Sequence, residues 1–188
     1  MIKKCYQKEE SENATNLKRF TPEEKHKIYS KPVSEQFEDI YTSKNHTVKR
    51  HVLRDENGMD YNRVLTVAKL YSKSSDVELL PEIHKSEIEI RERIGLVGNT
   101  NPDLHISGHR FIDVKSPFSY KNITTNAINA SRQQAIVCLT DDHTIIRESD
   151  LEQLSKRILK NDKYAKDEVH WVVNGKLYKY NSLGLIQD

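Results

Sequence analysis

Two cysteines in 188 residues, Cys5 and Cys138, stand too far apart to suggest a disulfide framework, and no CxxC occurs to build a zinc-thiolate site. The eight histidines form no HxH pair, and the one HxxxH, His105 to His109, spans a glycine-containing turn instead of a helix face, so a histidine zinc site is not expected. No run approaches the ~18 apolar residues of a membrane span. Met1 is followed by Ile2-Lys3-Lys4-Cys5-Tyr6-Gln7-Lys8-Glu9-Glu10, without an apolar stretch behind the basic residues, so no signal peptide is expected. A soluble chain is expected; export by a specialised machine, or excision from a larger protein, leaves no such mark. There is no internal repeat, no low-complexity tract and no excess of one charge. Lys and Arg number 30 against 28 Asp and Glu, a net charge of +2 that neither demands nor excludes a nucleic-acid partner. Hydrophobic residues reach only 36%, which predicts that part of the chain is poorly ordered.

What remains suits one domain with an extension. Residues 1–55 read as an N-terminal extension or linker with short helices, carrying charge clusters at Lys3–Glu12, Glu23–Lys27 and Lys49–Asp55. Thr21-Pro22-Glu23-Glu24 reads as a helix start, with Thr21 as N-cap and Pro22 in the first turn, and Ser30-Lys31-Pro32 ends that helix. Residues 56–188 read as the functional domain. Every catalytic candidate lies there, so a fragment starting near residue 50 is expected to keep activity.

The pattern becomes regular near Asp60. Tyr61, Val64, Leu65, Ala68 and Tyr71 recur at helical spacing behind Asp60 as a cap. Asp76–Pro81 reads as a short strand, and residues 84–100 as a polar loop marked by Gly95, Gly98 and Asn99. Asp103–Ile106 and Arg110–Lys115 flank Ser107-Gly108-His109 as a hairpin. Residues 121–134 suit a helix, Ala135–Thr140 a strand buried on both faces with Cys138 as a small apolar residue, and Asp150–Lys160 a helix. Asn174-Gly175 joins two last strands as a hairpin. Helix, strand, strand, strand, helix, strand, helix, strand, strand predicts an α/β fold, a mixed central sheet flanked by helices.

The chemistry concentrates in the middle hairpin. Residues two apart on a strand share a face, so Phe111, Asp113 and Lys115 point one way while Ile112 and Val114 point into a core. With a three-residue loop at 107–109, Asp103 comes level with Asp113; with a two-residue turn the pair becomes diagonal or opposite-facing. Two adjacent carboxylates call for a cation between them, and hard divalent ions take such oxygen ligands while keeping waters for a phosphate. Lys115 beside them suits orienting or deprotonating an attacking water, or stabilising charge on a phosphoryl transition state. The plain alternative is a solvated strand face whose ion pair contributes under about 1 kcal/mol. Lys121, Arg132 and Arg147 are candidate phosphate contacts or ordinary surface charges. His105 and His109 read as turn and strand residues, and Tyr178 and Tyr180 as packing residues.

Pro102-Asp103, nine intervening residues and Asp113-x-Lys115 resemble the PD-(D/E)xK nuclease superfamily. The segments Val77–Pro81, Asn101–Gly108, Phe111–Pro117, Gln134–Val137 and Val169–Leu177 are similar to the C-terminal tRNA-nuclease toxin domains of contact-dependent growth inhibition proteins, over about residues 60–180. The resemblance implies a restriction-endonuclease-like core, with Asp103 and Asp113 as metal ligands, Lys115 as catalytic lysine and Gln134 as a further polar active-site residue. It implies Mg²⁺ or Mn²⁺ rather than Zn²⁺, and a further acidic ligand left open among Glu56, Asp60, Glu78 and Glu82. It also implies an RNA substrate, tRNA foremost, an immunity protein as partner, and action in the cytoplasm of a bacterial target cell. DNA cleavage, a non-catalytic nucleic-acid-binding module and a phage-head-associated protein are the competing readings.

Overall fold

The computed structural model describes residues 20–108 and 110–188. The readings made of Cys5, of the charge cluster in residues 3–12 and of His109 lie outside them. Nine strands form one mixed sheet in sequence order: β1 (Phe37–Thr42), β2 (Thr47–His51), β3 (Val77–Leu79), β4 (Leu104–Ile106), β5 (Arg110–Lys115), β6 (Ile136–Thr140), β7 (Val169–Val173), β8 (Lys176–Asn181) and β9 (Gly184–Gln187). Three neighbouring pairs are parallel, β2 with β3, β5 with β6 and β6 with β7, and the rest are antiparallel. Those three are the steps whose connections contain a long helix, since a parallel return needs a crossover. The helices are α1 (Pro22–Tyr29), α2 (Tyr61–Tyr71), α3 (Ile88–Arg93), α4 (Asn122–Arg132) and α5 (Leu151–Leu159). This is the expected α/β architecture.

The strand alternation sorts two cores onto the two faces. Val64, Val67, Ala68 and Tyr71 of α2 pack with Val48, Val77, Leu104, Ile112, Val114 and Cys138. On the other face Ile123 and Ala127 of α4 and Leu151, Leu154 and Ile158 of α5 pack with Val137, Leu139 and Trp171. Every residue of β6 is buried, as its unbroken apolar run requires between two parallel neighbours. Local signals hold too. Thr21 Oγ1 accepts from the Glu24 amide at 3.2 Å and Glu24 Oε2 accepts from the Thr21 amide at 2.8 Å, a reciprocal cap on α1. Asn174 and Gly175 have φ of 52° and 72°, the backbone a tight two-residue hairpin needs. Among the described residues no helix is long and apolar enough to cross a membrane.

Three segments differ from the sequence reading. Within residues 1–55, β1 and β2 join the sheet alongside α1, and Val48 is fully buried. Thr47-Val48-Lys49-Arg50-His51 hides this, because Val48 is its sole aliphatic residue and the rest reads as a charged surface. The presumed loop at 84–100 contains α3, closed on itself by Arg91. The buried Arg91 guanidinium donates to the carbonyls of Ile83 (2.7 Å), Gly98 (2.8 Å) and Thr100, and to Asn101 Oδ1 (3.1 Å). A buried arginine is stable only when so many donors are satisfied. Finally β9 extends the sheet past the last expected strand, with Leu183 and Ile186 exposed at that edge.

Candidate active site

The site lies where β4 begins and β5 ends. Ile106 pairs with Arg110 and Leu104 with Ile112, a register that brings Asp103 towards Asp113. The regular ladder stops at Leu104 and Ile112, however. The Asp103 amide donates to the Ile112 carbonyl at 3.0 Å, and Asp103 Oδ2 accepts from the Val114 amide at 2.9 Å. Asp103 is thus fixed against the β5 backbone by its own side chain. Its other oxygen, Oδ1, accepts from Arg54 Nη2 at 3.3 Å.

Asp113 projects from the middle strand opposite the face that Ile112 and Val114 bury, and is 1% exposed. Lys115, two residues along the same face, places Nζ 3.0 Å from Oδ1 and 2.9 Å from Oδ2. Only the contact to Oδ1 is aligned as a hydrogen bond, and Oδ2 is buried without one. Burial pushes the Asp113 carboxyl up to about 7; Lys115 works against that rise and Asp103 adds to it. One residue past Lys115, the Ser116 hydroxyl is also buried without a hydrogen bond.

A buried carboxylate oxygen that has an ion-pair contact but no aligned hydrogen bond, with a second carboxylate held on the neighbouring strand end, is a donor set that suits a hard divalent cation. The residues present fit an ion that accepts two protein oxygens and keeps water for its other positions, as Mg²⁺ does. Among the described residues no group of three acidic, histidine or cysteine side chains is assembled for a metal. The four further acids are placed differently. Glu56 pairs with Arg50, and Glu78 with His105 at 2.9 Å across β3 and β4. Glu82 is exposed in the segment after β3. Asp60 alone shares a partner with the site, since its Oδ2 accepts from Arg54 Nη2 at 3.3 Å. It stands at the N-cap of α2 yet makes no capping bond.

Arg54 is the residue that sequence reasoning missed. Its guanidinium is buried, bridges Asp60 and Asp103, and also donates to the Leu80 carbonyl at 3.2 Å. Within Arg50-His51-Val52-Leu53-Arg54-Asp55-Glu56 nothing separates it from a surface charge. Gln134 is not brought to the pair. It follows α4 in left-handed backbone, φ 56°, is exposed, and its carbonyl accepts from Lys166 Nζ at 2.8 Å. Val137 pairs with Asp113, and Gln134 stands three residues before it, ahead of the start of β6. The neighbouring Gln133 makes the bridge instead: its Oε1 accepts from the Asn101 amide at 2.7 Å, anchoring the chain just before Asp103. Lys121 and Arg132 are exposed at opposite ends of α4, so only Lys121 shares the end at which β5 delivers Lys115.

No curated protein and no solved structure matches the chain. Residues 100–177, which hold Asp103, Asp113 and Lys115, match the family model described as the contact-dependent growth inhibition CdiA C-terminal domain, and over this stretch the chain resembles CdiA C-terminal toxin domains.

Proposed function

We propose that this chain is a metal-dependent endonuclease with a PD-(D/E)xK, restriction-endonuclease-like core, cleaving RNA, and tRNA foremost, as a toxin of contact-dependent growth inhibition. The observation that carries the proposal is the buried pair Asp103 and Asp113 with Lys115 over the second carboxylate and one Asp113 oxygen left without a hydrogen bond. The order α2, β3, β4, β5, α4, β6, with the six-residue α3 inserted between β3 and β4, supports the core assignment. The family match supports the toxin role, with a cognate immunity protein as partner and the target-cell cytoplasm as place of action.

Asp103 and Asp113 would hold the cation, Mg²⁺ or Mn²⁺. When bound, the ion supplies charge neutralisation at the phosphate and acidifies water. The protein's own groups do the rest. Arg54 and the Val114 amide hold the Asp103 carboxylate in one orientation, leaving lone pairs on both oxygens for ligation. Lys115, its side chain about one third exposed, donates from Nζ to the attacking water or to a phosphate oxygen as charge builds there. Lys121 contributes phosphate attraction without sequence preference.

Purified protein incubated with total tRNA and with plasmid DNA, with Mg²⁺, with Mn²⁺ and with EDTA, tests this reading. Cleavage of tRNA that EDTA abolishes is the expected result. Cleavage of DNA alone would replace the substrate, and an inert protein would remove the proposal.

A further inference from the structure

We propose that Phe118 and His143 form a stacking platform for an unpaired nucleobase of the substrate strand, beside the Asp103–Asp113–Lys115 cluster. The inference rests on the nuclease reading for its substrate class but on separate observations. Phe118 is 79% exposed, well above the other exposed aromatic side chains, Tyr41 and Tyr120 at 39% each. Its ring stacks on the His143 imidazole with centroids 4.8 Å apart and planes within 6°. The pair comes from two different loops, one leaving β5 and the other leaving β6. Thr144 Oγ1 donates to the Pro117 carbonyl at 2.5 Å and ties the loops together. At its ring edge His143 Nε2 lies 3.4 Å from Arg63 Nη2, while Arg63 Nε donates to Asp142 at 2.7 Å. The two loops that carry the rings are thus joined to each other and to α2 by polar contacts.

Its position points to the occupant. Phe118 is three residues after Lys115, so their Cα atoms lie within about 11 Å, close enough for a base adjoining the reacting phosphate to reach the ring. Ligands in sheets of this kind bind outside the carboxyl ends of parallel strands, and these loops leave the carboxyl ends of β5 and β6. Lys121 and Arg147 are exposed on the same two connections, and a shallow groove of about 310 Å³ lined by Asn62, Arg63, Thr66, Thr140 and Asp142 adjoins the His143 side. An exposed ring flanked by cations suits single-stranded nucleic acid, whose unstacked bases pack on aromatic faces, whereas a duplex keeps its bases enclosed.

The test uses the full chain in EDTA with a single-stranded RNA oligonucleotide carrying 2-aminopurine, and a duplex of the same sequence. Wild-type protein should quench the probe. Phe118→Ala should weaken single-strand binding about 5- to 150-fold and leave duplex binding unchanged, while Phe118→Trp should retain binding. The residue is exposed, so each variant should melt as wild type does. Equal affinity of Phe118→Ala and wild type, equal loss on single strand and duplex, or failure of wild type to bind the single strand would each overturn the platform. The same proteins assayed for cleavage with Mg²⁺ separate the two readings. Wild type that binds and quenches without cleaving removes the nuclease assignment alone, and wild type that cleaves while Phe118→Ala binds normally removes the platform alone.

Discussion

Replacing Asp113 with asparagine should stabilise the metal-free protein, by an amount that depends on pH. Asp113 is buried, and its carboxyl sits at about 7 rather than its ordinary 3.8. A carboxyl raised in the folded state binds its proton more tightly folded than unfolded. The stability it confers is complete below about 3.8 and is lost as pH rises through about 7. Above that range the ionised group costs about 4 kcal/mol relative to the protonated form. Asparagine mimics the protonated acid in shape and carries no charge. The value of about 7 already contains the opposing pull of Lys115, so loss of the ion pair needs no separate offset. Asp113→Asn should therefore gain about 4 kcal/mol at pH 8, a rise in Tm of about 8–16 °C, shrinking towards zero near pH 4. Urea and thermal melts in EDTA at pH 4, 5.5, 7 and 8 give the profile. Mg²⁺ added at a hundred times its Kd should stabilise wild type by about 2.7 kcal/mol and leave the variant unmoved. A stability difference that does not change with pH would refute the argument, because it would trace to packing instead of to a buried charge.

Two further outcomes are expected. A fragment starting at residue 50 deletes β1, most of β2 and the buried Val48, and bares the β3 edge; burial of Val48 alone contributes about 1.5–3 kcal/mol, so the fragment should melt lower or aggregate, and a wild-type melt would contradict the packing of β2 described here. His51 Nδ1 accepts from the Leu53 amide and Nε2 faces Gln36 Oε1 at 3.1 Å, so the ring is neutral, and burial lowers its pKa to about 4. Stability from this depressed group is present above 6.5 and falls by up to about 3 kcal/mol as pH drops towards 4; an NMR titration of the His51 ring should show a midpoint near 4, and a midpoint near 6.5 would contradict it.

The parts of the fold that could be read from the sequence are those where one local rule dominates. Asp113 and Lys115 share a face because strands alternate, and the strand is legible because Ile112 and Val114 mark the opposite face. The Asn174-Gly175 turn and the Thr21 cap are carried by single residues whose chemistry permits little else. The unread parts depend on distant partners. β2 is a strand because β3 pairs with it, and its own residues offer almost no apolar signal. Arg91 and Arg54 are buried cations whose meaning lies in carbonyls and carboxylates supplied from elsewhere in the chain. Gln134 and Gln133 are adjacent identical residues, and only the left-handed turn after α4 decides which one points to the Asp103 segment.

The most direct test of the central claim is Lys115→Met, assayed for tRNA cleavage with Mg²⁺ and for Mn²⁺ binding by titration calorimetry on the same folded preparation. Removing one cation from beside two carboxylates should leave metal affinity unchanged or tighter, since a nearby positive charge is gone, while cleavage is abolished. A folded Lys115→Met protein that cleaves at the wild-type rate would contradict the account and leave Asp113 and Lys115 as an ion pair on a structural strand.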